Sequence, residues 1–345
     1  VGGALTVRRI LTEALAVGRD RPKSAPGFAG PHAGRRREEI LVKLGFVSAI
    51  LKDFSFRDVM DYAGSHGFEC VEAACWPGGK AERRYAGVTH IDVESFGPEK
   101  ADAVKKLCRE TGVGIAALAY YPNMLDPDPE KRAYFIEHLK KVIAAAEKLG
   151  VRTVTSFIGR VSSLSVEENF PIFERVWKPI IEFAERSGVR IAIENCPMLF
   201  TDDEWPGGQN LATSPAVWRR MFEAIPSKNF GLAFDPSHFV WQRMDYIKPV
   251  YEFRDRIFHV HCKDIKIHRD RLDDVGIMAT PLQYMSPKLP GLGDVNWGRF
   301  LSALTDVGYN GNVCIEIEDR AFEGSEKAVL DSLELSRRYI RNFVI

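Results

Sequence analysis

From about residue 43 onward, short apolar runs alternate with longer segments whose apolar residues recur every three to four positions. The runs are LGFVSAI (44–50), FECVEAAC (68–75), GIAALAYY (114–121), RTVTSFIG (152–159), VRIAIEN (189–195), FGLAFD (230–235), IFHVHCKD (257–264) and NVCIEIED (312–319). Their lengths and β-branched content suit buried strands. Between them, residues 99–111 and 131–150 carry helical spacing. In the second, Phe135, Leu139, Val142, Ile143 and Ala146 form one stripe, and Gly150 stops it. Residues 167–188 have the same character, with two prolines expected to bend or segment the helix. A last helix is expected at about 325–342.

Strand and helix alternating eight times over roughly 300 residues predict a parallel sheet, and eight units predict a closed (β/α)8 TIM barrel. An open doubly wound sheet would carry a glycine-rich first turn, but AILKDFSF follows the first run. Gly291-Leu-Gly293 comes only after the seventh run and is no dinucleotide fingerprint. Residues from Ile265 to Trp297 exceed the usual loop length and predict a lid or binding loop, a structured cap, or a surface for a partner chain.

Side chains alternate across a strand, so parity assigns faces. Ile191 and Ile193 oppose Ala192 and Glu194; Leu232 and Phe234 oppose Gly231, Ala233 and Asp235. Val260 and Cys262 oppose His259, His261 and Lys263; Val313, Ile315 and Ile317 oppose Cys314, Glu316 and Glu318. In all four runs the bulky apolar residues fit under helices. The ionisable ones face the axis near the C-terminal strand ends, where barrel active sites lie.

Glu194, Asp235, His261 and Glu316 thus converge from the fifth to eighth strands. Three carboxylates that close would raise one another's pKa, and a divalent cation removes that difficulty. Three carboxylates and an imidazole suit one Mn2+, Co2+, Zn2+ or Mg2+ ion with positions left for substrate oxygens. Separately satisfied acids, or acids paired with a lysine such as Lys263, remain the alternative. Any one of the four taken singly reads that way; Asp235-Pro236-Ser237-His238 by itself reads as a turn.

Composition narrows the function classes. Lys+Arg and Asp+Glu both total 47, giving zero formal net charge, which argues against a nucleic-acid groove. No run approaches the ~18 apolar residues of a membrane span. Six scattered cysteines without a C-x-x-C pair read as small buried residues in a reducing compartment. With no secretory leader evident, a soluble cytoplasmic protein is expected. Residues 1–42 are rich in Gly, Pro, Ala and Arg and are expected to be a disordered or loosely ordered extension of a barrel spanning 43–345.

The motifs IAIEN, AFDPSH, HVHCKD, LPGLGDVNW and VCIEIED, in this order and spacing, carry a resemblance. From about Leu41 to Ile345 the chain resembles the sugar phosphate isomerase/epimerase family, the xylose-isomerase-like barrels. The resemblance implies Glu194, Asp235, His261 and Glu316 as metal ligands and His238 as a substrate-binding residue. It implies an isomerase or epimerase of a sugar, keto-sugar or cyclitol, working through a metal-stabilised enediolate with Glu194 and Glu316 as the acid/base pair. It leaves the substrate open, because members also include dehydratases and lyases. A keto-inositol dehydratase or 3-keto-glycoside lyase is the alternative.

Around that site, Glu72 and Trp76 share the inward parity of Cys70, and Tyr120, Tyr121 and Asn123 end the third strand. These residues either line a sugar pocket or pack in the core. Lys263 either contacts a substrate oxygen or balances Glu316 or Glu318. Arg269, Gln283 and Tyr284 belong to the long segment and are placed to reach a substrate; His259, one pleat deeper, reads as a core histidine. No glycine-rich phosphate cradle follows the last strands, so a phosphorylated substrate is not demanded. The expected partner is a small carbohydrate, with a homo-oligomer or an accessory-subunit role left open. An apurinic endonuclease shares this barrel but needs more histidines at its site and a basic groove; a non-catalytic sugar-binding subunit is the remaining reading.

Overall fold

The computed structural model describes residues 42–79, 85–199 and 208–344. Apart from Val42, the expected N-terminal extension lies outside the described residues. Seven parallel strands follow in order: β1 (Lys43–Val47), β2 (Cys70–Ala74), β3 (Gly114–Ala119), β4 (Thr153–Ser156), β5 (Arg190–Glu194), β6 (Phe230–Phe234) and β7 (Ile257–Cys262). A two-stranded antiparallel hairpin, β8 (Asp264–Ile267) and β9 (Met285–Lys288), comes next, and β10 (Asn312–Ile315) completes the barrel. The sheet closes in the order β1-β10-β7-β6-β5-β4-β3-β2, because β1 pairs with both β2 and β10.

The major helices are α1 (Phe56–Ser65), α2 (Pro98–Thr111), α3 (Pro129–Leu149), α4 (Val166–Arg186) and α5 (Pro215–Ala224). After them come the short α6 (Ser237–Trp241), α7 (Lys248–Glu252) and α8 (Arg269–Val275), then α9 (Trp297–Asp306) and α10 (Glu326–Arg341). Their starts follow local chemistry: Ser55 with Asp58 and Ser165 with Glu168 form reciprocal capping boxes. The expected break in α4 does not occur. One helix runs through Pro171 and Pro179, with Phe170, Phe173, Trp177, Ile180 and Ile181 buried along it. The burial of that apolar face outweighs the two backbone hydrogen bonds the prolines remove.

The main core lies between barrel and helices. Phe46, Val71, Leu118, Val154, Ile193, Phe234, Val260 and Ile315 all belong to it and are fully buried. These are the outward-parity residues, so the expected faces hold. The barrel interior is filled by smaller groups. Gly231 leaves room for the Phe258 ring: a Cβ there would overlap that ring and the Arg256 carbonyl.

Candidate metal centre and reaction cleft

Glu194 is the last residue of β5, Asp235 directly follows β6, His261 lies in β7, and Glu316 directly follows β10. Since β5, β6, β7 and β10 are consecutive in the barrel, their ends meet. Backbone ties fix them. Asn195 Oδ1 accepts from the Asp235 N–H at 2.8 Å, and Asn195 Nδ2 donates to the Asp235 carbonyl at 2.9 Å. Asn210 Nδ2 donates to the Glu194 and Cys196 carbonyls at 2.9 and 2.7 Å. Asp235 divides its work: Oδ1 accepts from the Ser237 N–H at 2.8 Å and makes the turn, while Oδ2 faces the site.

One ligand atom each from Glu194, His261 and Glu316 lies within 4.8 Å of the other two. His261 Nδ1 is 3.3 Å from Glu316 Oε2 and 3.7 Å from Glu194 Oε1. Its Nε2 lies 2.8 Å from Glu72 Oε2, which holds the ring with Nδ1 toward the two glutamates. Asp235 Oδ2 joins through Lys263 Nζ at 3.2 Å and His238 Nε2 at 3.2 Å. Lys263 Nζ also lies 3.0 Å from Glu316 Oε2, 3.7 Å from Glu318 Oε2 and 3.8 Å from Glu194 Oε1. Four buried atoms here complete no hydrogen bond, although each has a charged neighbour at 3.2–3.8 Å: Glu194 Oε1, Asp235 Oδ2, His238 Nε2 and His261 Nδ1. The two carboxylates and imidazole of Glu194, Glu316 and His261 are close enough together to hold a divalent cation, with Asp235 Oδ2 beside them against Lys263 and His238.

Burial alone would raise the Glu194 and Asp235 carboxyls. The Lys263 ammonium and the nearby imidazoles outweigh it: Glu194 is held well below the usual carboxylate range, and Asp235 is lowered. Burial opposes charge on His261, yet Glu72, Glu194 and Glu316 push its pKa well above the ordinary histidine value. His238 is likewise raised against burial, with Cys196 and Asp235 favouring its charged form. Lys263 is fully buried, and Glu316, Glu318, Asp235 and Glu194 hold its pKa well above that of a free lysine. It supplies the positive charge that lets these acids stay ionised without a metal.

The remaining expected residues separate. Trp76 lines the cleft with Tyr121, Phe157, Cys196, Lys263 and Glu318. Glu72 is fully buried beneath it. It accepts from Tyr121 Oη at 2.6 Å and Thr155 Oγ1 at 3.0 Å and lies 2.6 Å from His259 Nε2, so it supports His261 from below. Tyr120 turns outward, packing edge-on to Trp76 at 5.0 Å and against His138 at 4.6 Å. The inward residue is Tyr121, because Ala117, Ala119 and Tyr121 share a face; extending the alternation by one residue would have shown it. Asn123 anchors loops, accepting from the Leu125 and Arg160 N–H groups. Arg269 lines a separate surface hollow with Tyr246 and Asp294. Tyr284 is buried against Trp241, Ile265 and Ile267, and Gln283 is exposed.

Sequence reasoning assigned no role to Asp264. It is buried and accepts from the Ile265, Gly291 and Val295 N–H groups and from Trp297 Nε1, all at 2.8–3.0 Å. It therefore organises the return from the β8–β9 hairpin to α9. The fully buried set Glu72, His259 and Cys314 forms a second cluster one layer below. Among the described residues no helix is long and apolar enough to cross a membrane.

A family model described as a xylose isomerase-like TIM barrel matches residues 60–339. An inosose dehydratase of Clostridium perfringens (strain 13 / Type A) is 22% identical over 274 residues, 76% of this chain and 87% of its own. The crystal structure of the IOLI protein with a bound zinc atom superposes with a TM-score of 0.65 at 18% identity, covering 88% of this chain and 99% of that one. D-psicose 3-epimerase of Clostridium cellulolyticum H10, solved with D-tagatose, gives a TM-score of 0.64 at 14% identity, covering 88% and 99%.

Proposed function

The chain belongs to the xylose isomerase-like TIM barrel family, and from that premise we propose that it is a divalent-metal-dependent isomerase or epimerase of a keto-sugar, sugar or cyclitol. The observation that carries this reading is the approach of ligand atoms of Glu194, His261 and Glu316 to within 4.8 Å of one another, with the Asp235 carboxylate beside them. Glu194, Asp235, His261 and Glu316 would hold the metal. When bound, a divalent cation supplies Lewis acidity to a carbonyl and its neighbouring hydroxyl.

The chain's own groups supply the rest. Trp76, Tyr121 and Phe157 offer flat apolar surface for one face of a ring. Glu194 and Glu316 come from strands separated by β6 and β7, so their carboxylates reach a bound carbon from different sides. One removes the proton beside the carbonyl and the other returns a proton to the opposite face, which inverts the centre. Glu194 lines the cleft and is held ionised, at some cost in basicity. Lys263 on the cleft, and His238 on the wall of the adjoining chamber, would donate hydrogen bonds to substrate oxygens and offset the developing negative charge.

The inosose dehydratase relative supports a second reading at the same site, in which the same enolate expels a β-hydroxyl instead of being reprotonated. Incubating the metal-loaded chain with a panel of ketoses, keto-glycosides and keto-inositols separates the two. An inverted centre in an unchanged formula supports epimerisation; a product lighter by one water supports the dehydratase. No conversion anywhere in the panel contradicts both.

A further inference from the structure

Beside the metal-side cleft lies a second chamber; Cys196 and Glu318 line both, and His238, which contacts Asp235 and Glu194, lines the chamber. It is the larger, about 510 Å³ against about 90 Å³ on the same measure. Its walls come from the segment after β5, from α6, from the β8–β9 insertion and from the turn after β10. One side is apolar, with Met198, Trp241, Leu282 and Met285; Arg271 and Arg320 stand exposed on the lining. Met198 is fully buried with a left-handed backbone (φ 58°), a conformation that costs a non-glycine residue and persists only where the surroundings hold it. Lys288 Nζ pairs with Asp319 at 3.2 Å and ties the hairpin to the turn after β10, so the chamber is built by contacts between elements.

We propose that this chamber is a subsite for a second ring, and that the substrate is a glycoside or similarly ring-substituted sugar rather than a free monosaccharide. The inference rests on the proposed carbohydrate chemistry and names its substrate class. A ring held at Trp76 and Tyr121 beside Glu194 and Glu316 leaves the shared wall at Cys196 and Glu318 as the way out for its substituent. A flat aryl group or a second sugar suits that destination: apolar faces for ring surface and guanidinium groups for oxygens. Such mixed lining, mostly apolar with a few placed polar groups, is what small-molecule subsites have.

The test measures binding to the full-length, Mn2+-loaded chain of methyl β-D-glucopyranoside, phenyl β-D-glucopyranoside and cellobiose, which differ only in the group on the anomeric oxygen. Dissociation constants come from NMR titration. The phenyl glycoside and cellobiose are expected to bind at least ~10-fold more tightly than the methyl glycoside. Leu282 is 41% exposed, so Leu282→Trp fills the chamber without entering the core. This variant is expected to abolish the preference while changing the methyl glycoside affinity less than about two-fold. Ser286→Phe repeats the test from β9, with thermal melting as the check on folding. Equal binding of the three ligands, failure of all three to bind, or equal weakening of all by both variants overturns the subsite. Binding is read without turnover: a preference without conversion of any carbonyl substrate leaves the chamber standing and removes the reaction. Conversion without the preference does the reverse.

Discussion

Asp235 uses its two carboxylate oxygens differently. Its Oδ1 caps the turn that Pro236 and Ser237 make, and its Oδ2 faces Lys263 and His238. Glu194 and Glu316 are the proposed proton-transfer groups. Glu194→Gln and Glu316→Gln are each expected to lower turnover about 10²- to 10⁴-fold while the protein still folds and melts cooperatively. Loss of folding with no specific loss of rate would contradict their role. Removing Lys263 has a different expected signature. Lys263→Met leaves buried carboxylates uncompensated and is expected to destabilise the metal-free protein by about 3–5 kcal/mol, with added Mn2+ recovering much of it. Denaturant titration with and without metal reads both effects.

The acid limb of stability follows from the same charges. Glu194 and Asp235 have lowered folded pKa values, so their contribution is present above the unfolded carboxylate value near pH 4 and is lost as pH falls through the folded values. Asp235→Asn is expected to flatten that limb in melts between about pH 3 and 7; an unchanged limb contradicts the assignment. His261 is raised, so in the metal-free protein it carries a proton near neutrality that a cation must displace. Metal affinity is therefore expected to rise with pH, with proton release on binding, as calorimetry in buffers of different ionisation enthalpy would record. Affinity independent of pH would count against His261 as a ligand.

Among the elements, the strands and their faces were legible because apolar outward residues alternate with ionisable inward ones in β5, β6, β7 and β10. Tyr120 and Tyr121 show the limit. Two adjacent tyrosines at a strand end look alike in composition, and only carrying the alternation of Ala117 and Ala119 one step further picks out Tyr121. Glu72 shared the inward parity of its strand, but parity does not give depth, and it sits below the cleft rather than in it. The long segment after β7 was legible as an insertion, but its hairpin and its anchor were not. Besides the adjacent Ile265 N–H, three donors 27–33 residues away meet Asp264 only in three dimensions. Asp264→Ala leaves those donors buried without an acceptor and is expected to cost about 1–3 kcal/mol for each one unsatisfied. Hydrogen exchange should localise the loosening to residues 289–297; a loss spread evenly over the barrel would contradict an anchoring role.

At the scale of the whole molecule, the ring order places the ends of β5, β6, β7 and β10 side by side, which gathers Glu194, His261 and Glu316 at one half of the mouth, with Asp235 against Lys263 beside them. Trp76, Tyr121 and Phe157 face them from β2, β3 and β4. One half thus carries charge and the other apolar surface, an arrangement suited to holding a polyol over a cation. Zero formal net charge is consistent with a small carbohydrate rather than a polyanion as partner. The central claim is that Glu194 and Glu316 exchange a proton beside a carbonyl in a metal-dependent site. It is tested most directly by NMR in D2O, with metal-loaded and chelator-treated protein and a panel of ketoses, keto-glycosides and keto-inositols. The prediction is deuterium at the carbon next to the carbonyl of at least one substrate, dependent on metal and abolished in the Glu194→Gln, Glu316→Gln double variant. No exchange in any member of the panel, or exchange that survives the double substitution, would contradict the account.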